Sequence, residues 1–163
     1  MTHATTANLA ADYIIYSFQE HGELLTNLKL QKLLYYTQGW YLGLHNKVFF
    51  DDQIEAWIHG PVVPYIDRRF KKYKYGPIEE RPDIPNLAKE KCEHLDDVIK
   101  VYASYSAFEL EDLTQQSIPW QKARGCIPMD EPSNNVISQE DMKNFFKMKS
   151  MEAWTYERLE DCF

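Results

Sequence analysis

The sequence predicts a mainly α protein, a single compact helical domain of about six to eight helices with one small β-hairpin. Apolar residues recur every three or four positions over much of the 163-residue chain, which is the spacing of amphipathic helices. Glycine and proline interrupt this pattern, and a short stretch between the early helices is rich in β-forming residues. An aromatic content of 14% suffices for a core, and 26% charged residues keep the surface polar, so we expect a folded domain.

Two helices are predicted at the start of the chain. Residues 6–21 carry apolar side chains at helical spacing and end before Gly22. Thr26 is a suitable N-cap for the second helix. One stripe of that helix is expected to pack on the core, and it contains Leu30, Leu33, Leu34, Tyr41 and Leu44. A second stripe, with Lys29, Lys32 and Tyr36, is expected to remain available.

A hairpin followed by a third helix is predicted next. Residues 48–50 and 54–58 are short, rich in β-formers and separated by three polar residues, which is typical of two paired strands. Gly60 and Pro61 should then break the second strand. Pro64 suits the first position of the helix that follows.

The middle of the chain is expected to form a loop and two further helices. Three prolines within residues 76–86 predict a surface loop rather than a domain boundary. A helix is predicted from about Leu87, with Cys92 on its apolar stripe. Ser106 and Glu109 have the spacing of a capping box, so another short helix should start there.

The C-terminal part of the chain is predicted to be helical as well. Ser138 has the features of an N-cap, and two helices are expected after it, at residues 139–146 and 148–159. On this basis residues 1–147 form the main domain. Residues 148–163 form a helical tail that packs on the same domain.

Charge and cysteine content narrow the functional classes. The net charge is -7, with eight basic against seven acidic residues in residues 1–78 and ten against eighteen in residues 79–163. An acidic second half suits a protein partner with a basic surface and disfavours nucleic acid. The three cysteines are far apart and odd in number, and we recognise neither a signal peptide nor a membrane span. We expect a cytoplasmic protein without a membrane partner.

No motif for catalysis, a metal or a cofactor is recognised. The five histidines lack metal-ligand spacing, and Cys92 and His94 come nearest, with His94 expected to point away from the apolar stripe. Phosphate-binding loops and nucleophile elbows are absent. Glu55 and His59, four residues apart on a strand, would lie about 13 Å apart, too far for direct partnership. An enzyme that uses His59, Glu55 and Arg68 or Arg69 in a cleft is therefore only a minor alternative.

A basic cluster with interleaved tyrosines follows the hairpin, and it contains Arg68, Arg69, Lys71, Lys72, Tyr73, Lys74 and Tyr75. A solvated helix face is the simplest interpretation. Docking of an acidic partner or a phosphate is the alternative, and it should weaken steeply with salt. Because no helix-turn-helix or zinc-finger signature accompanies the cluster, we do not expect nucleic acid as a partner.

Two dense segments carry a family resemblance. Residues 28–36 read LKLQKLLYY, and residues 54–64 read IEAWIHGPVVP. Together they closely resemble the Panacea domain, the SocA-like and GepA-like family of phage-associated antitoxins. In that family a Lys-Leu-Gln-Lys-Leu-Leu-Tyr helix precedes a Glu-Ala-Trp-x-x-Gly-Pro-Val turn. The resemblance continues through Pro119 and Trp120 and covers about residues 9–146.

The resemblance implies a small bacterial antitoxin that neutralises a cognate protein toxin by direct contact. One alternative it implies is a proteolytic adaptor that delivers a toxin to an AAA+ protease, and another is a small phage-associated enzyme or regulator. Gln115 and Ser117 stand where the family usually has a histidine and an acidic residue, so no role of that histidine is carried over.

Two sets of candidate residues follow. The predicted partner-binding set is Lys29, Gln31, Lys32, Tyr36, His59, Arg68, Arg69 and Lys72. For its helical members an internal role, holding the hairpin and the Gly60 turn, is an equal alternative, because a buried lysine or glutamine needs a partner. The predicted structural set is Leu30, Leu33, Tyr35, Glu55, Trp57, Gly60, Pro61, Pro64, Pro119 and Trp120, with Trp57 expected in the core.

Overall fold

The computed structural model describes residues 6–160, with side chains described for residues 6–152. His3, Cys162 and the end of the predicted tail lie outside the described residues. The described chain is mainly α with one antiparallel hairpin, which confirms the predicted fold class. Its elements are α1 Ala7–Glu20, α2 Asn27–His45, β1 Glu55–Trp57, β2 Gly60–Val62, α3 Pro64–Phe70, a 3-10 turn Lys71–Tyr73, α4 Lys89–Tyr102, α5 Ala107–Gln115, α6 Ile118–Arg124 and α7 Gln139–Glu160.

Helix α2 is the centre of the molecule. The predicted N-cap is confirmed, because the Thr26 hydroxyl accepts from the backbone N–H of Lys29 at 3.2 Å. Around it pack α1, α3, α4, α5, α7 and β2. Since neighbours lie on several sides, the expected free stripe does not exist, and Lys32 and Tyr36 are buried as deeply as the leucines. Leu44, expected to pack, is instead exposed near the end of the helix.

Close contact between α2 and α7 depends on two glycines. A Cβ atom at Gly39 would overlap the ring of Phe146, and one at Gly43 would lie 2.8 Å from the backbone nitrogen of Lys147. Helices approach this closely only where side chains are absent. The Phe146 ring therefore reaches the edges of Tyr35, Tyr36 and Trp40.

The hairpin forms from different strands than predicted. β1 pairs with β2, and Ala56 lies opposite Pro61, so Gly60 and Pro61 form a strand instead of ending one. Gly60 has a φ of 106°, which glycine adopts readily. Residues 48–50 are not a strand, because their backbone is held by a side chain. The Gln38 side-chain oxygen accepts from the backbone N–H groups of Phe49 and Phe50.

Most of the remaining helices follow the sequence signals closely, but α6 has no counterpart among the predicted helices. Pro64 begins α3, and Ser106 and Glu109 form the predicted capping box of α5. The Ser138 hydroxyl accepts from the backbone N–H of Asp141. The prediction of two C-terminal helices is wrong, because α7 runs continuously to Glu160 and no glycine or proline interrupts it. The proposed boundary after residue 147 thus falls inside α7.

Within residues 6–160, none of the helices combines the length and the hydrophobicity needed to cross a membrane.

Candidate functional site

The two dense sequence segments meet inside the protein. From α2, Lys32 donates through Nζ to the backbone carbonyl of Pro61 at 3.1 Å, and the Gln31 side-chain oxygen accepts from the backbone N–H of Val63 at 2.9 Å. A Cβ atom at Gly60 would lie 2.8 Å from Cε of Lys32. The glycine of the second segment therefore makes room for the lysine of the first. This corresponds to the internal role considered above.

Lys32 is a fully buried lysine. Burial lowers the pKa of its ammonium group to about 7, although the nearby carboxylates of Glu111 and Asp67 raise it in part. Its described hydrogen bond goes to a neutral carbonyl, that of Pro61. A surface contact of Lys32 with a partner is incompatible with this burial.

Gln31 belongs to a chain of side-chain hydrogen bonds that joins α2 to the start of α3. Its Nε2 donates to Oδ1 of Asn27 at 2.9 Å, and Nδ2 of Asn27 donates to Asp67 at 2.9 Å. Val63 is the N-cap of α3, and its own side chain makes no capping hydrogen bond. The side-chain oxygen of Gln31 instead accepts from the backbone N–H of Val63. Gln31 thus positions the helix that follows the hairpin.

Lys29 is half-buried, and its contacts are also internal. Its Nζ donates to the carbonyl of Ala103 at 2.6 Å, just past the end of α4, and lies 5.3 Å from the centre of the Phe18 ring. Burial lowers the pKa of Lys29, while Glu23 and Glu109 oppose this effect. The lysine connects α1, α2 and α4.

His59 lies at the exposed turn between β1 and β2, as expected. Its Nδ1 is 2.7 Å from Oε1 of Glu111 on α5. Gln115 also holds this turn, because its Nε2 donates to the carbonyl of Ile58 at 3.0 Å. Ser117 lies deeper, with its hydroxyl 2.9 Å from that of Tyr35. Gln115 and Ser117, the two positions that depart from the family pattern, are therefore hydrogen-bonded to residues of the two dense segments.

Arg69 is not part of a free basic face. Its guanidinium donates to Asn8 and Asp12 of α1 and to Glu80. Burial alone would lower the pKa of Arg69, but the bonds to Glu80 and Asp12 outweigh this effect and raise it. Arg68 and Lys72, by contrast, are exposed.

The two tryptophans of the motif have different environments. Trp120 is fully buried, and its Nε1 donates to the backbone carbonyl of Trp57 at 3.0 Å. Trp57 itself is only half-buried, so the prediction that it lies in the core is wrong. Its indole N–H donates to Glu55 at 2.8 Å, which agrees with a structural role for that carboxylate. Strand β1 places Trp57 on the side opposite buried Ala56.

Sequence reasoning missed Arg124. This buried arginine donates to the backbone carbonyls of Ala56, Pro128 and Glu131, and its guanidinium lies 4.9 Å from the centre of the Trp120 ring. It holds the loop after α6 against the hairpin. Its place at the end of α6, four residues after Trp120, is a weak signal that could have indicated this role.

Five helices, α2, α4, α5, α6 and α7, together line a surface cleft that we call the apolar groove. It consists of two adjoining hollows of about 440 and 240 Å³ that share Ile118, Phe145 and Lys149. Its floor is aromatic and comes from α2, α4 and α7, with Tyr36, Trp40, Tyr102 and Phe146. Its rim carries the exposed side chains of Leu113, Ile118 and Met148.

The aromatic floor of the groove is held in place by direct contacts. The rings of Tyr36 and Tyr102 stack with their centres 4.0 Å apart, and Trp40 donates through Nε1 to the hydroxyl of Tyr102 at 2.8 Å. Burial raises the pKa of Tyr102 to about 12, although the bond from Trp40 opposes this effect, so its hydroxyl is neutral at physiological pH. Tyr36, one of the predicted partner-binding residues, thus lines the base of a cleft.

The residues considered for catalysis do not share partners. His59 pairs with Glu111, Glu55 with Trp57, and Arg69 with α1 and Glu80. Across the described part of the chain no group of three or more potential metal ligands occurs. His94 points inward, contrary to expectation, and donates to the carbonyl of Thr37 at 2.9 Å.

The fold and the groove define a mainly α protein with an aromatic-floored cleft on its surface. A family model described as "Antitoxin SocA-like, Panacea domain" matches residues 30–121, more than half of the chain. The chain therefore belongs to the SocA-like Panacea antitoxin family, which confirms the resemblance found in the sequence. No curated protein and no solved structure matches the chain.

Proposed function

We propose that this chain is an antitoxin that neutralises a cognate protein toxin by direct binding, and that an apolar segment of the toxin docks in the apolar groove. Family membership supports the first part. The exposed apolar rim around an aromatic floor supports the second, and it is the observation that carries the proposal. Exposed apolar side chains around an aromatic base are typical of protein-binding sites.

The contacts within the floor favour tight binding. A partner that inserts an apolar side chain meets rings already ordered by the Tyr36–Tyr102 stack and the Trp40 hydrogen bond. Less conformational entropy is then lost on association. Enclosed apolar anchors of this type are where interfaces concentrate their binding energy.

In this proposal the role of the protein is binding and not catalysis, and the encounter takes place in the cytoplasm. Cys92 and Cys126 are free thiols, which suits a reducing compartment. The division into residues 1–147 and a helical tail of residues 148–163 stays a prediction. Delivery of the toxin to an AAA+ protease also stays a prediction from the resemblance.

A charge placed on the groove rim tests the proposal. Ile118 is 52% exposed and begins α6. An aspartate is well tolerated at a helix N-terminus, so Ile118→Asp should leave the fold intact while placing a carboxylate in the groove. Ile84→Asp is the matched control, because Ile84 is 56% exposed in the loop before α4 and lies outside the groove lining.

The assay combines co-expression with the product of the adjacent gene, growth measurement and affinity capture. Ile118→Asp should weaken capture by at least about 30-fold, the effect of losing a hot-spot contact of about 2 kcal/mol, and should restore toxicity. Ile84→Asp should behave as the parent protein. A harmless neighbour, or a toxin that stays unbound, contradicts the antitoxin role. If Ile118→Asp binds the toxin as well as the parent protein does, docking in the groove is contradicted but the antitoxin role is not.

A further inference from the structure

A second surface, separate from the apolar groove, carries unpaired positive charge. We call residues 68–75 the basic tip, which spans the end of α3, the 3-10 turn and the two residues after it. Backbone bonds hold its shape, because Lys74 donates to the carbonyl of Lys71 at 3.0 Å and Gly76 donates to that of Tyr73 at 2.9 Å. Lys74 has a φ of 53°, which is uncommon for a residue other than glycine.

Most cations of the basic tip form no ion pair with the side chains that the structure describes. In the part of the chain whose side chains are described, Arg68, Lys71 and Lys74 form no ion pair. Lys72 lies over the ring of Tyr73, 5.2 Å from its centre, without a carboxylate partner. Arg69, in contrast, is neutralised by Asp12 and Glu80. Four cations therefore remain for an external anion.

Tyr75 adds an aromatic surface to these charges. It is 95% exposed, the highest value among the exposed large apolar residues in the described part of the chain. A ring left in water contributes almost nothing to packing, so the stability of the fold does not account for it. It stands directly after Lys74 and two residues after Tyr73 in the same tip.

We propose that the basic tip binds single-stranded nucleic acid, with its cations on the phosphates and Tyr75 stacked on a base. Lysines on flexible stems suit a phosphate backbone, and an exposed aromatic ring accepts any base. An acidic protein surface fits less well, because lysine is depleted in protein interfaces whereas arginine is enriched. The acidic remainder of the chain and the lack of a groove-reading motif argue against duplex recognition. The binding is local, and its sequence preference is weak.

The proposal does not depend on the antitoxin role, and fluorescence anisotropy with the full chain tests it. The probe is a labelled single-stranded oligonucleotide, either DNA or RNA, titrated over a range of salt concentrations. Contacts to about four phosphates predict that log K falls with log salt with a slope of roughly -3. Lys71→Gln or Lys74→Gln should each reduce the magnitude of this slope by about 0.7.

Tyr75→Ala should weaken binding by roughly 5- to 150-fold, the effect of losing one stacked base, with little change in the salt slope. Because Tyr75 is exposed, this variant should fold normally. Lys100→Gln, an exposed lysine on α4, and Phe108→Ala, an aromatic residue 79% exposed on α5, are the matched controls and should bind as the parent does.

Two outcomes would overturn the proposal. The first is absence of binding at low salt. The second is binding that polyglutamate displaces as readily as the oligonucleotide and that Tyr75→Ala leaves unchanged, which would assign the tip to an acidic protein. Because the variants of the basic tip leave the apolar groove intact, toxin capture by the same proteins separates failure here from failure of the antitoxin proposal.

Discussion

Lys32 and Ile118 show opposite relations between side-chain chemistry and burial. Lys32 is a charged residue type that is completely buried, whereas Ile118 is an apolar residue with half its surface in solvent. The first belongs to the contact between the two dense segments, and the second to the rim of the apolar groove. The family match includes both residues. Most residues that make the sequence recognisable therefore hold the fold together, although Tyr36 of the same motif also lines the groove floor.

The difference has a physical origin. A buried lysine is costly unless its polar atoms are satisfied, so it restricts the shape of the hairpin and requires glycine at position 60. An exposed isoleucine costs little and can change without loss of the fold. The contact between the dense segments should therefore control stability, whereas the groove should control recognition, and different partners could be accommodated by changes on its rim.

The largest expected effect lies within α6, where Trp120 faces the hairpin and Ile118 faces the groove. Trp120→Ala should lower the free energy of unfolding by about 3–5 kcal/mol, because a fully buried indole is lost. Trp57→Ala, at a half-buried position, should cost about 1–2 kcal/mol, since much less apolar area is involved. Urea unfolding of both variants gives the two values. Equal losses would show that Trp57 has a core role after all.

The next effect concerns the close approach of Lys32 to Gly60. Gly60→Ala should destabilise the protein by about 2–4 kcal/mol, since it combines an unfavourable positive φ with overlap against Lys32 and Thr114. Gly125→Ala is the control, because its φ of 59° carries strain but no atom lies within 4 Å of the added methyl group. It should cost about 1–2 kcal/mol. If the two variants lose the same stability in thermal unfolding, Lys32 does not fill the space beneath Gly60.

The last effect concerns the pH dependence of stability, and it is small for each pH unit. The pKa of Lys32 is about 7 in the folded protein and 10.5 in the reference state, so between these values the unfolded chain binds more protons. The free energy of unfolding should therefore rise with pH in this window, by at most about 1.4 kcal/mol per pH unit. Because other groups also titrate in this window, the contribution of Lys32 is measured as the difference between the parent protein and Lys32→Met.

Lys32→Met keeps the length of the side chain and removes the ionisable group, and its stability should gain less between about pH 7 and 9. Urea unfolding of both proteins at several pH values in this range measures the difference. Parallel curves would mean that Lys32 is charged in the folded protein, and hence that water or a carboxylate reaches it.

Local structure could be predicted well because its signals are local. The caps Thr26 and Ser138, the capping box at Ser106 and the N1 proline at position 64 act through neighbouring backbone groups, and each was recognisable from a few residues. The same holds for the family, since its motif is contiguous in two segments. The break predicted after Phe146 was wrong because helical periodicity alone does not show where a helix ends.

The sequence by itself therefore determined the fold class, most helix boundaries and the family. The tertiary structure decided which polar residues are buried, because periodicity assigns side chains to stripes but not the number of neighbours around a helix. It also paired β1 with β2 and not with residues 48–50. The backbone N–H groups of Phe49 and Phe50 donate to the side chain of Gln38 instead. It also assembled the groove, whose residues come from five helices between residues 36 and 152. Contacts of that kind depend on packing, which no single segment encodes.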